Sequence, residues 1–392
     1  MNEVVVVSGV RTAIGTFGGA LKDYPSTDLM ALVIKEALQR AKAAPEEVDD
    51  VIVGQCMQRT DEATTGRVAA LKAGLPITVP GLTIQRNCAS AMQSVIYGAQ
   101  QIMLGEMDVV VAGGVEVMSR VPYMLYSARW GARLQHGVMA DGVWDGLTDP
   151  WSGLIMGLTA ENLAEKYNIS REEQDIVALR SHNNAETATK EGRFKEEILP
   201  VQIPQKKGDP IVFDKDEHFR PGLTMEQLAR LKPTFKKDGT VTAGNASGIN
   251  DAAAAVVLMS AKKAEAVGAT PIARLRGYGL GAVEPELMGY GPVPATKQAL
   301  ARTGLSLDDM ELIELNEAFA AQYIACEKLL GLNREITNVN GSGVGLGHPV
   351  GCTGVRIIIT LLHEMRRRGN KIGLATLCVG GGMGQATIWE MV

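Results

Sequence analysis

The residues best suited to covalent chemistry are five cysteines, at positions 56, 88, 326, 352 and 378, and one histidine, His348. Cys88 stands in Arg86-Asn87-Cys88-Ala89-Ser90-Ala91-Met92 and opens a run of small and apolar residues reaching Leu104. That run is apolar on every side, which reads as a buried helix. A thiol at a helix N-terminus meets unpaired backbone N–H groups and the positive end of the helix dipole, a setting that favours the nucleophilic thiolate. Free cysteine is also common as a small packing residue, so catalysis at Cys88 requires a base from elsewhere in the chain.

The second half holds a candidate base. His348, in Gly345-Leu346-Gly347-His348-Pro349, follows a strand pattern. The glycines there allow close backbone approach and the proline sets chain direction. A hydrogen-bonded structural histidine is the alternative reading. His136, His182, His218 and His363 lie among charged or polar neighbours and read as surface residues. Cys378 ends an apolar strand and runs into Val379-Gly380-Gly381-Gly382-Met383-Gly384. Such a glycine cluster leaves backbone N–H groups free to point at a developing oxyanion. Asn316, in Glu314-Leu315-Asn316-Glu317-Ala318-Phe319, stands at a strand-to-helix junction, where it can cap the helix or orient a water or carbonyl.

Two glycine-rich segments mislead. Gly341-Ser342-Gly343-Val344-Gly345 has Leu346 where a dinucleotide fingerprint needs its third glycine, and no phosphate-loop lysine follows. His348 and Cys352 are four apart, but Pro349 interrupts a helix through them, and two ligands do not make a metal site. No metal and no nicotinamide cofactor is expected. The cysteines are odd in number and lack C-x-x-C spacing, which argues against a disulfide framework or a zinc site.

At 392 residues, 46% apolar and 21% charged, the chain is an ordinary globular protein with room for two or three domains. A net charge of −5 gives no reason to expect nucleic acid as a partner. Met1 to Val7 reads as a strand without the basic start of a signal peptide, and no apolar stretch is long enough to span a bilayer. A reducing cytoplasm is the expected compartment.

Short apolar runs at Val4–Val7, Val51–Val53 and Val109–Val111 alternate with helical spacing at Leu29–Ala41, Gly66–Ala73 and beyond Cys88. That alternation predicts an α/β fold with a mainly parallel sheet covered on both faces. Residues 119–249 change character. They hold Trp130, Trp144 and Trp151, an amphipathic helix from Ala160, and a charged irregular segment. They read as an inserted loop or lid domain between an N-terminal half (1–118 plus 250–268) and a C-terminal half (269–392). In each half a helix leads to a strand that ends at glycines, Gly113-Gly114 and Gly380-Gly381-Gly382, which suggests a duplicated unit.

Four segments together, Asn87-Cys88-Ala89-Ser90, Asn316-Glu317-Ala318-Phe319-Ala320, Gly347-His348-Pro349-Val350-Gly351 and Cys378 to Gly384, resemble the thiolase family, acetyl-CoA acetyltransferase type, over the whole chain. The resemblance implies a five-layer αβαβα core of two similar halves with an inserted loop domain. It implies reversible Claisen condensation of two acetyl-CoA molecules to acetoacetyl-CoA and CoA. Cys88 would be the acylated nucleophile and His348 the base that activates it. Cys378 would exchange the α-proton of the second acyl-CoA. Asn316, through a water, and His348 would stabilise one thioester oxygen, and the N–H groups of Cys88 and Gly380 another. Arg220 and Ser247 resemble residues that meet the nucleotide and pantetheine of CoA. Phe235, Ala243, Ala318 and Phe319 resemble walls of its tunnel. Met288, Leu147 and Met156 complete that set.

The resemblance also implies acyl-CoA and CoA as substrates, no resident cofactor, no membrane and a homotetramer. A ketoacyl synthase is disfavoured because it has no counterpart to Cys378. A 3-ketoacyl-CoA thiolase for longer or branched chains, or a non-catalytic acyl-CoA-binding subunit, are further expectations. Ile155, where short-chain members usually carry His, together with Tyr290 and Cys352, leaves the acyl preference open.

Overall fold

A computed structural model describes residues 1–392. Strand β1 (Val4–Thr12) is buried along its whole length. It lies at the middle of a sheet path with β2 (Asp50–Gly54), β3 (Gly81–Ile84), β4 (Val109–Val117), β5 (Asn250–Ser260), β6 (Ala273–Ala282), β7 (Leu312–Leu315), β8 (Ile372–Val379) and β9 (Met383–Met391). The spatial order is β7-β8-β9-β6-β1-β5-β4-β2-β3.

This order contains the same unit twice. In the first half β1/β5 and β5/β4 are antiparallel and β4/β2 is parallel. In the second, β6/β9 and β9/β8 are antiparallel and β8/β7 is parallel. The two units meet through a short antiparallel contact, Val5 opposite Arg274 and Val6 opposite Ala273. The expectation of a mainly parallel sheet is therefore corrected. It rested on the alternation of short apolar runs with helical segments, which usually signals parallel pairing. Here both faces are buried because helices cover them, whatever the strand direction.

Helices α3 (Ser90–Leu104) and α8 (Thr353–Arg368) form the central layer between the two units, each packing on strands of its own half and on β5. α1 (Ser26–Ala41) and α2 (Thr65–Lys72) flank the first half, and α6 (Pro292–Thr303) covers β6 and β9 of the second. This is the αβαβα layering. The central helices meet at their N-terminal ends, where a Cβ on Gly354 would lie 2.4 Å from the backbone nitrogen of Met92. Only glycine permits that approach.

Between β4 and β5 the chain forms α4 (Met156–Lys166), α5 (Arg171–Lys190) and several short strands. α4 and α5 pack against α7 (Ala320–Leu330). This region also joins the core. Ile198–Leu199 pairs in parallel with the end of β1, and the buried Arg11 guanidinium holds Glu197 and Asp216, each at 2.7 Å. No helix is long and apolar enough to cross a membrane.

Candidate active site

Cys88 sits in a tight turn between β3 and α3. Asn87 has φ +42°, and the helix proper begins at Ser90, two residues after the thiol. Ser90 locks the turn. Its hydroxyl accepts from the Arg86 N–H at 2.9 Å and donates to the Asn87 carbonyl at 2.7 Å. The Asn87 amide donates to the Gly380 carbonyl at 2.9 Å, tying the turn to the second half. The backbone N–H groups of Gly380 and of Cys88 itself favour the thiolate.

Even so, burial pushes the thiol up to about 11, and the Glu116 carboxylate adds to the rise. The expected thiolate is thus not the resting form. Desolvation of the charge outweighs the two backbone N–H groups and the helix end. Cys88 waits as a thiol and needs a base.

The base is placed by the loop before α8. Gly347 has φ +103° and lies against the Asn250 amide, and Asn250 Oδ1 accepts the His348 N–H at 2.9 Å. His348 Nδ1 lies 2.7 Å from the Thr353 hydroxyl, which itself lies 3.0 Å from the Pro349 carbonyl. A carbonyl only accepts, so the hydroxyl donates to Pro349 and accepts from Nδ1–H. That assignment leaves Nε2 with a free lone pair, and Nε2 has no protein partner. Burial, with the Arg356 charge, holds the imidazole down to about 3, so it is neutral and able to take a proton. Asn316 Nδ2 approaches Nδ1 to 3.4 Å. Because Nδ1 already donates to Thr353, this is a contact between donors. The amide remains available to a water or carbonyl, and its Oδ1 has no protein partner.

Cys378 ends β8 and is fully buried, with its thiol driven well above the ordinary value by burial and then by the neighbouring Cys88 and Cys326 thiols. The glycines after it turn the chain, with φ +87° at Gly381 and +78° at Gly382. A Cβ on Gly382 would meet the Val283 carbonyl at 2.2 Å. This turn holds Gly380 against Asn87, the neighbour of Cys88. Cys88, Cys378, Gly380, His348 and Asn316 thus converge from β3–α3, β8, and the loops after β7 and before α8.

The residues compared above with CoA contacts range from the exposed Arg220 to Met156 beside Gly380. Arg220 is exposed beside an open cleft lined by Phe17, His218 and Gly248, the neighbour of Ser247. The Ser247 N–H donates to the Ala318 carbonyl at 2.9 Å, and Ala246 bridges to Phe319. Ala243 is exposed at the outer end of the same segment. Phe235 packs edge-on against Phe319 at 6.3 Å and lies over Gly157. Met288 is buried in the cluster that holds Ala318, Phe319 and Cys378. The Met156 N–H donates to the Leu147 carbonyl at 2.9 Å, and Met156 Sδ lies near Gly380. Leu147 and Cys88 pack against the same small cluster of Met118, Val143 and Val350.

Ile155 caps α4 through its backbone and offers no polar side chain there. Tyr290 packs edge-on against Tyr167 at 6.4 Å with its hydroxyl on Glu284, whereas Cys352 is buried in the main core.

Four residues of this region escaped the sequence reading. Thr353 sets the imidazole tautomer, Asn250 holds the His348 backbone, and Asn87 anchors Gly380. The fourth, Glu116, is fully buried, and burial pushes its carboxyl up to about 7 against the pull of three backbone N–H groups. An acid within the otherwise apolar Val109 to Val117 was the available signal. The expectation that His182 is a surface residue is also corrected. It is buried and stacked on His218 at 6.2 Å, and burial holds the pair down to about 3 and about 4. No cluster of three or more His, Cys, Asp or Glu side chains is placed to hold a metal ion.

Comparison with known proteins agrees over the full length. The thiolase N-terminal domain matches residues 4–262 and the thiolase C-terminal domain residues 269–391. The chain is 50% identical to the acetyl-CoA acetyltransferase of Chromobacterium violaceum over 99% of each sequence. Its structure matches the Bacillus anthracis acetyl-CoA acetyltransferase with TM-score 0.99 at 55% identity, covering 100% of this chain and 99% of that one. It matches human mitochondrial 3-ketoacyl-CoA thiolase in complex with CoA with TM-score 0.96 at 45% identity, covering 100% and 98%. The chain belongs to the thiolase family.

Proposed function

We propose that this protein is a thiolase that interconverts two acetyl-CoA with acetoacetyl-CoA and CoA through an acyl-enzyme on Cys88. The carrying observation is a thiol in a turn tied to Gly380 together with a neutral imidazole whose Nε2 is free. In this reading the Cys88 proton passes to His348 Nε2 as sulfur attacks the thioester carbonyl. CoA leaves as a thiol by taking the proton of Cys378, so that Cys378 becomes a thiolate and His348 keeps its Nε2–H. The acyl-enzyme splits one difficult condensation into two easier steps.

The Cys378 thiolate then removes the α-proton of a second acetyl-CoA, whose carbon attacks the acyl group and releases Cys88, which recovers its proton from His348 Nε2. The Cys88 and Gly380 N–H groups stabilise one oxyanion, and Asn316 with His348 stabilises the enolate oxygen. Every step is a proton or acyl transfer, so no resident cofactor is required.

The test follows loss of acetoacetyl-CoA absorbance on adding CoA, with the acyl-enzyme formed from acetyl-CoA measured by mass. Cys88→Ser should abolish acylation, and Cys378→Ser should keep acylation and stop condensation. Equal loss of acylation in both would overturn this division of labour. A preference for longer or branched 3-oxoacyl chains is the second reading, favoured by the apolar Ile155 beside Met156. Initial rates across a chain-length series separate the two.

We further propose a cytoplasmic homotetramer. Trp130, Leu134 and Trp151 are 87%, 90% and 84% exposed on one chain, an apolar surface of the kind that marks protein contacts. Light scattering on a chain of 41.8 kDa reads the assembly directly.

A further inference from the structure

We propose that Glu116 is a positioning residue for the thioester chemistry: its buried carboxylate ties a turn of the first half to the His348 loop of the second. The inference rests on the thiolase reading above. Glu116 Oε2 accepts the N–H of Cys56 and the N–H of Gly351, both at 2.9 Å, and Oε1 accepts the N–H of Met57 at 3.1 Å. Cys56 and Met57 follow β2 in the first half, whereas Gly351 lies three residues after His348. No arginine or lysine compensates the carboxylate, and the titratable groups facing it are Asp251, Cys56, Cys88 and Cys352. A buried carboxylate without a cation is costly unless its hydrogen bonds are filled. Here all of them go to backbone that flanks the reacting residues.

The contacts around Gly351 show what this tether transmits. A Cβ on Gly351 would lie 2.5 Å from Glu116 Oε2, and a Cβ on Gly114 would lie 2.4 Å from both the Gly351 carbonyl and the Ala91 Cβ. The Gly351 peptide is therefore pressed against β4, and the first turn of α3, just beyond Cys88, is pressed against the same strand. β4 acts as the common reference for nucleophile and base. At the other end of the loop, Asn250 on β5 accepts the His348 N–H at 2.9 Å and donates to the Gly15 carbonyl at 3.0 Å. Two side chains of the first half thus bracket a four-residue loop of the second. A loop of this kind needs such anchors, because misplacement by about 1 Å can cost about 100-fold in rate.

Glu116→Gln is nearly isosteric but turns an N–H donor toward at least one backbone N–H. Glu116→Asp keeps the charge and falls one methylene short. Both should lower kcat for acetoacetyl-CoA cleavage, and the single-turnover acylation rate, by about 10- to 100-fold, with KM for CoA changed by less than about twofold. Folded Glu116→Gln that acylates at the wild-type rate overturns the proposal. Recovery in Glu116→Asp overturns it too, because charge rather than reach would then be the cause. If neither variant folds, Asn250→Ala frees the opposite end of the same loop and must show the same kcat loss at constant KM. Wild-type kcat there overturns the proposal. Alkylation of Cys88 by iodoacetamide reports the same positioning without a CoA substrate. A wild-type protein that alkylates faster than Glu116→Gln but cleaves no acetoacetyl-CoA counts against the thiolase reading and not against this one.

Discussion

Thr353→Val tests the assignment on which base catalysis rests. The Thr353 hydroxyl accepts Nδ1–H of His348 at 2.7 Å and donates to the Pro349 carbonyl at 3.0 Å. Valine keeps the volume and removes both bonds. A buried N–H left without its partner costs about 1–3 kcal/mol. That cost falls on the Nδ1–H tautomer, which is the one with a free lone pair at Nε2, and the opposite tautomer escapes it. Each 1.36 kcal/mol is about tenfold in rate, so acylation of Cys88 should slow by about 5- to 150-fold. Thr353→Ser, which restores the hydroxyl, should recover most of it. Rapid mixing with acetyl-CoA, following release of the first CoA thiol, isolates this step from condensation. A folded Thr353→Val protein that acylates within about twofold of wild type would refute the tautomer and the role of Nε2 as acceptor.

Two further outcomes follow from packing and from titration. A Cβ on Gly54 would lie 2.2 Å from the carbonyl carbon of Ser90, so Gly54→Ala must displace the start of α3. It should destabilise the fold by about 1–3 kcal/mol and depress acylation, read by denaturant unfolding and burst amplitude. For stability against pH, His348 and His182 stand near 3 and His218 near 4 by burial, against an ordinary 6.5, so unfolding takes up protons as pH falls below 6.5. Glu116 near 7, Glu314 near 8 and Asp251 near 6 are raised by burial from 4.5, 4.5 and 3.8, so the folded state holds the extra protons and stability is lost as pH rises through those values. Each group contributes a slope of at most about 1.4 kcal/mol per pH unit, the two sets offset one another between about 4.5 and 6.5, and Tm should decline on both sides of that window. A Tm that climbs steadily from pH 5 to pH 8 would contradict it.

The legible parts of the site were those written into backbone geometry. Glycines around His348 and after Cys378 announce turns, and an apolar run behind Cys88 announces a buried helix. These are local signals that tertiary packing did not override. Three features stayed hidden for one physical reason, which is that burial depends on what folds over a segment. The thiolate expected at Cys88 loses to desolvation. His182 has polar neighbours in sequence but is buried and stacked on His218, which comes from a distant segment. The parallel sheet was inferred from strand–helix alternation, yet the antiparallel β1, β5 and β9 are buried by helices just as parallel strands would be. Glu116 was overlooked because its partners, Cys56, Met57 and Gly351, are backbone groups that carry no side-chain signature.

The neutral resting pair has a consequence for mechanism. With the thiol near 11 and the imidazole near 3, a separated thiolate and imidazolium would lie on the order of 10 kcal/mol above the neutral pair. Attraction between the two charges at close range recovers about 4 kcal/mol at an effective dielectric of 20. The remaining gap leaves the ion pair a minor species in the free enzyme. Attack on a thioester is then favoured when proton transfer and bond formation proceed together, so that negative charge moves from sulfur to an oxygen held by backbone N–H groups instead of accumulating on the thiolate. The Gly380 N–H, which favours the Cys88 thiolate, is suited to follow that charge. On this reasoning the two halves divide the work by chemistry. The first carries the thiol at the start of α3, and the second supplies the tautomer-fixed acceptor and the turn that receives the charge.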